Sequence, residues 1–117
     1  MAKKENHPPV KKVRIGPHVL TFVPSHDLFV EAESNQVGRY CGDENIIRYD
    51  ETQAVTQLMD TVIHESLHGV WAQTTLDFLH DDDAPDSEGE RIIASLSPRL
   101  LEFFMDNKEL LRWLIGD

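Results

Sequence analysis

The chain has 117 residues, enough for one domain with a real core and too few to divide into two. Its 21 acidic against 11 basic residues leave a formal charge of -10, which argues against a nucleic-acid or anionic-membrane surface as its main partner, since both would repel it. The single cysteine, Cys41, rules out an internal disulfide framework and fits a reducing compartment.

Residues 1–12, "MAKKENHPPVKK", are polar, proline-containing and locally basic, and read as a flexible solvated tail, with a single folded domain over 13–117. The first residues lack the apolar run of a secretory leader, and no window approaches the roughly 18 to 20 apolar residues that span a bilayer, so a cytoplasmic location is expected. "VRIGPHVLTFV" (13–23) carries β-branched and aromatic residues around one Gly-Pro break and predicts a strand or a bent pair of strands closed by Pro24. "LFVEAES" (28–34) alternates loosely between apolar and acidic residues and predicts a further strand or an irregular excursion. "QVGRYC" and "NIIRYD" flank "GDE", the composition of a hairpin connection, so 36–41 and 45–49 are expected as two antiparallel strands.

From Asp50 the period changes. Val55, Leu58, Met59, Val62, Ile63, Leu67, Val70 and Trp71 recur at three and four, a helical stripe with Asp50 placed to cap its start and Gln53 three residues on, as in a capping box. "HDDDAPDSEGE" (80–90) predicts an exposed acidic loop. Ile92, Ile93, Leu96, Leu100, Leu101 and Phe104 follow helical spacing again, and Pro98 must kink or divide that helix. Asn107 is placed to cap a last helix, "KELLRWLI", stopped by Gly116. Strands come first and helices after, which predicts an α+β domain: a small antiparallel or mixed sheet, a long helix, and a second, kinked helix.

The long helix carries "TVIHESLHGVWAQ" (61–73), an H-E-x-x-H pattern. Positions i and i+4 lie one turn apart on one face, so the His64 and His68 imidazoles can converge on one ion with Glu65 beside it. Neutral imidazole suits Zn²⁺, and a neighbouring carboxylate can take the proton of a water whose pKa the ion lowers. A lone histidine is ordinarily just a hydrogen-bonded helix residue. Two imidazoles and a carboxylate side by side among apolar neighbours are costly to bury without a partner, and a cation supplies one. A catalytic zinc takes three protein ligands, so another donor must come from elsewhere. The acid-rich start of the next helix, "DSEGERIIASL", offers Asp86, Glu88 and Glu90; Glu90, one turn before Ile93 and Ala94, is preferred to Glu88, which precedes a glycine. Acids in a first helical turn are also favoured by the helix dipole alone. Cys41 has no evident activating partner and stays outside the site.

A strand-rich first half, "HESLH" on a long helix and a glutamate at the start of a following helix resemble the zincin metallopeptidases of the glutamate-ligand, thermolysin-like type. Within these, "GDENIIRYDETQAVTQLMDTVIHESLH" and "ERIIASLSPRLLEFFMDNKELLRWL" look most like the compact zincin-like proteins of tailed bacteriophages and prophages, over residues 37 to 115. The resemblance implies His64, His68 and Glu90 as zinc ligands and Glu65 as general base, in a bacterial host cell if the chain is phage-derived. Position 74 is threonine where the long metzincin motif has a third histidine, so that branch is not implied. Four residues after Glu90, where thermolysin-like enzymes carry an aspartate that orients a histidine, stands Ala94, leaving Asp60 and Asp77 as candidates for that support. The oxyanion donor that larger relatives supply after the third ligand is also missing: residues 91–117 hold no His or Tyr, so His18, His26, Tyr40, Tyr49, His80 or Arg91 would have to substitute. The expected function is a zinc-dependent peptidase acting on a peptide or protein laid along a sheet edge, with "NIIRYD" as that edge. The alternative is a catalytically inactive, zinc-stabilised module whose acidic surface binds a basic protein partner.

Overall fold

The computed structural model describes residues 4–74 and 85–116, the side chains of 85–90 excepted. Among these residues the architecture is α+β, with one mixed sheet in the strand order β1-β2-β4-β3. β1 (Lys12–Ile15) and β2 (His18–Pro24) form an antiparallel pair with Val13 opposite Leu20. The Gly-Pro break in 13–23 is therefore a hairpin turn, where Gly16 takes a positive φ of 60° that a side chain would resist. β2 then pairs in parallel with β4 (Ile46–Tyr49), Phe22 opposite Ile47. A parallel pair needs a crossover, and α1 (His26–Glu31) and β3 (Gly38–Cys41) provide it. β3 lies antiparallel on the outer side of β4, with Tyr40 opposite Ile47.

Two expectations are corrected here. "NIIRYD" is no edge: β4 is enclosed between β2 and β3, and its Ile47 and Tyr49 are 0% and 3% exposed. Its apolar side chains put it inside the sheet and leave the polar, glycine-bearing β3 outside. Residues 28–34 are not a strand, because α1 runs through Glu31 with Phe29 as its buried residue and Asp27 in its first turn.

The helices follow the sheet. α2 (Val55–Ala72) lies across it, then α3 (Pro85–Asp106), which runs through Pro98 as one helix, then α4 (Lys108–Ile115), ended by Gly116 in the left-handed conformation. One sheet face, formed by Val13, Ile15, Leu20, Phe22, Ile47 and Tyr49, meets Leu58, Val62 and Val70 of α2, Phe103 of α3 and Leu110 of α4. Truncating a fully buried member such as Leu58 to alanine is expected to cost ~2–5 kcal/mol. Among the described residues, no helix is long and apolar enough to cross a membrane.

The side chains of both expected caps bond elsewhere. α2 starts at Val55 behind Ala54, five residues after Asp50, and makes no side-chain cap. Asp50 instead closes its own turn, accepting the Thr52 backbone N–H at 2.8 Å and hydroxyl at 2.7 Å, and it faces His26 Nδ1 at 3.0 Å. Burial pushes the Asp50 carboxyl up, but these hydrogen bonds outweigh it and hold the group below its ordinary value. Asn107 stands at the N-cap of α4, its carbonyl accepting the Leu111 N–H at 3.0 Å, but its side chain makes no cap hydrogen bond. Its amide accepts the Arg14 N–H at 2.8 Å and donates to the Arg14 and Phe103 carbonyls, each at 2.7 Å, pinning the α3–α4 junction to β1. Ahead of β1, Asn6 bonds the backbone of Glu51 and Gln53, and His7 Nδ1 meets the Tyr49 hydroxyl at 2.6 Å.

Candidate metal centre

Successive rows of α2 at i, i+4 and i+8 do different work. Leu58, Val62, Ser66 and Val70 form one fully buried row turned to the core. Thr61, Glu65 and Gly69 form the next, also buried and turned to the sheet. Asp60, His64 and His68 form a third, exposed to solvent. Glu65 thus stands on the boundary between packed sheet and open groove, only 8% exposed, while the His64 side chain is 65% exposed.

The sheet-facing row is made of residues that let β3 come close. A Cβ at Gly38 would collide with Thr61 Cγ2 and lie 3.1 Å from Glu65 Cγ and 3.3 Å from Glu65 Oε2. Only glycine fits there, so the backbone of β3 runs directly past the glutamate carboxylate. Gln53, buried itself, holds the two elements at this level: its Nε2 donates to the Val37 carbonyl at 3.2 Å, and its Oε1 accepts the Thr61 hydroxyl at 2.9 Å. The residue expected in a capping box is a cross-brace one turn before Glu65.

The groove that results measures about 460 Å³, with residues 35–40 on one wall and Asp60, Thr61, His64, Glu65 and His68 on the other. The His64 and His68 rings lie edge to face with centroids 5.0 Å apart, and His64 Nε2 is 3.8 Å from Glu65 Oε2. One donor atom from each of these three residues lies within 4.8 Å of the others. Two imidazoles and a carboxylate this close together, open to solvent on one side, are a donor set that could hold a metal ion. Tyr40 closes one end of the groove, its ring 6.3 Å from that of His68 and tilted by 18°. Burial pushes the Tyr40 phenol above its ordinary value, so it is neutral at physiological pH.

Of the residues singled out from the sequence, the fold brings His64, Glu65 and His68 together; Asp60 shares their groove without joining the donor cluster. The side chains of Asp86, Glu88 and Glu90, and Asp77 and His80 altogether, lie outside the described residues. Among the expected oxyanion donors that lie within the described residues, only Tyr40 lines the groove: His26 is paired with Asp50, Tyr49 with His7, and His18 and Arg91 lie elsewhere. Gly38, Thr61 and Gln53 were not anticipated as site residues. An isolated glycine inside a strand pattern was the available signal for Gly38, since it marks a close backbone approach. No protein-family model, curated protein or solved structure matches the chain.

Proposed function

We propose that the chain is a minimal zincin-like zinc peptidase acting on an extended peptide. The observation that carries this reading is the position of Glu65: a nearly buried carboxylate between two outward imidazoles and the backbone of an edge strand. In the reading, His64 and His68 hold the ion, with Glu90 as the third ligand. Bound there, Zn²⁺ supplies Lewis acidity, polarising a scissile carbonyl and making water easier to deprotonate. Glu65 accepts the proton of the attacking water and passes it to the leaving amine.

Strand β3 supports the choice of substrate. The Asp50 N–H donates to the Val37 carbonyl, so in an antiparallel pair positions 37, 39 and 41 turn their backbone groups to β4. Gly38 and Tyr40 then turn theirs outward to the free edge. An extended peptide can pair with them as a further strand, which carries its carbonyls past Glu65.

Metal analysis and cleavage assays on the purified protein test the reading. About one zinc per chain is expected, lost in His64→Ala and in His68→Ala, because a three-ligand site does not survive on two. Glu65→Gln is expected to keep the zinc and the fold while abolishing cleavage of a peptide library. Glu90→Ala is expected to lose zinc where Glu88→Ala, with the same charge change, keeps it. Full zinc occupancy in both histidine variants overturns the site. Tight zinc in the wild type with no cleavage overturns the peptidase and favours the zinc-stabilised binding module.

A further inference from the structure

A histidine that ligates a metal is ordinarily oriented by a hydrogen bond from its second ring nitrogen to a carboxylate or carbonyl. Among the described residues, His68 has no such hydrogen bond, and its ring contacts are with the rings of His64 and Tyr40. Tyr40 is itself held tightly. A Cβ at Gly42 would stand 2.7 Å from its hydroxyl and 2.9 Å from Cζ, and one at Gly69 would stand 3.3 Å from its Cε2. The tyrosine ring therefore fills a slot bounded by two glycines, one in the β3–β4 turn and one on α2 directly after His68. A methyl group at Gly42 would collide with the ring, and one at Gly69 would press against its edge.

We infer that Tyr40 is a positioning residue that fixes the imidazole plane of His68 through its aromatic ring. The inference rests on the metal reading of His64 and His68. The ring carries the function and the hydroxyl does not, because the hydroxyl points towards Gly42 and the contact with His68 is between near-parallel planes. Tyr40 also turns its backbone to the free edge of β3, so one residue links the strand that would pair with a peptide to the ligand that would hold the ion.

The test compares wild type, Tyr40→Phe and Tyr40→Leu by Zn²⁺ affinity, measured by chelator competition, and by the visible absorption of the Co²⁺-loaded protein. Tyr40→Phe is expected to match wild type within about twofold, whereas Tyr40→Leu, which keeps apolar bulk but loses the plane, weakens Zn²⁺ about tenfold and alters the Co²⁺ bands. The melting temperature of metal-free protein separates this from a packing role: a purely structural tyrosine would lower it in Tyr40→Leu and leave affinity and spectrum unchanged, which overturns the inference. Proton NMR on metal-free wild type gives a second reading that needs no variant to fold. Ring-to-ring cross-relaxation between Tyr40 and His68 is expected, and its absence overturns the inference. Failure of the wild type to bind Zn²⁺ or Co²⁺ overturns the metal reading beneath it.

Discussion

The sheet has two edges, and they are treated in opposite ways. On β1, Arg14 turns its backbone N–H and C=O away from β2, and the Asn107 side chain takes both, so an amide stands where another strand would pair. On β3, the equivalent outward positions are Gly38 and Tyr40, and among the described residues nothing takes them. Unpaired strand edges invite pairing with other chains, and proteins ordinarily cover or blunt them. Here one edge is covered by a single side chain and the other, among the described residues, lies unpaired along the groove that holds His64, Glu65 and His68. The difference separates an edge whose backbone groups are taken by a side chain from one whose outward groups, among the described residues, have no partner.

Of the changes that bear on the two edges, the largest effect should come from forcing β3 away from α2. Gly38→Val drives a side chain into Thr61 and Glu65 and is expected to cost ~1–3 kcal/mol of stability by overpacking, and to reduce any peptide cleavage at least tenfold. Denaturant unfolding and the cleavage assay read the two losses; unchanged stability would mean that β3 does not pass so close to α2. Uncovering the closed edge is the complementary experiment. Asn107→Ala removes three hydrogen bonds and is expected to cost about 1–2 kcal/mol, with faster hydrogen exchange at the Arg14 amide and zinc affinity unchanged. A parallel loss of zinc would show that the two edges are not independent.

The smallest effect distinguishes the strands by their tyrosines. Tyr49, on enclosed β4, is pushed from 10.0 up to about 12, first by burial and then by the charges of Glu51 and Glu5. A group whose folded value is raised contributes stability that is complete below its unfolded value and is lost as pH rises through the folded one. The melting temperature is therefore expected to fall between pH 10 and about 12, and to fall less in Tyr49→Phe. A near-ultraviolet titration in which Tyr49 ionises at its ordinary value would contradict the enclosure of β4.

The sequence made some of this legible and hid the rest for identifiable reasons. His64, Glu65 and His68 were readable because spacing on one helix is local information. The turn at Gly16-Pro17, the antiparallel pairing of β3 with β4 and the helix stop at Gly116 were local too. Asp50 and Gln53 misled because a capping signature competes with partners far along the chain: His26 and the Thr52 turn took Asp50, while Val37 and Thr61 took Gln53. Strand order was hidden for the same reason, since no pattern within "NIIRYD" states which neighbour it will find on each side. Its apolar content did carry a hint, because a strand with two buried side chains such as Ile47 and Tyr49 suits the middle of a sheet. In 28–34 the alternation was too short to separate a strand from a single amphipathic turn.

The clamp of Asn107 on Arg14 spans 93 residues of sequence. Contacts of such separation carry a closure entropy that local turns do not, and they are made late when a chain folds. During synthesis the β1–β2 hairpin leaves the ribosome well before Asn107 does, so β1 spends that interval with its outer backbone unprotected. Helix α2 and the outer edge of β3 need no residue beyond 74 to meet, whereas the opposite edge waits for the last helical junction. The order of translation thus supplies every residue of the groove before the one that seals the other side of the sheet.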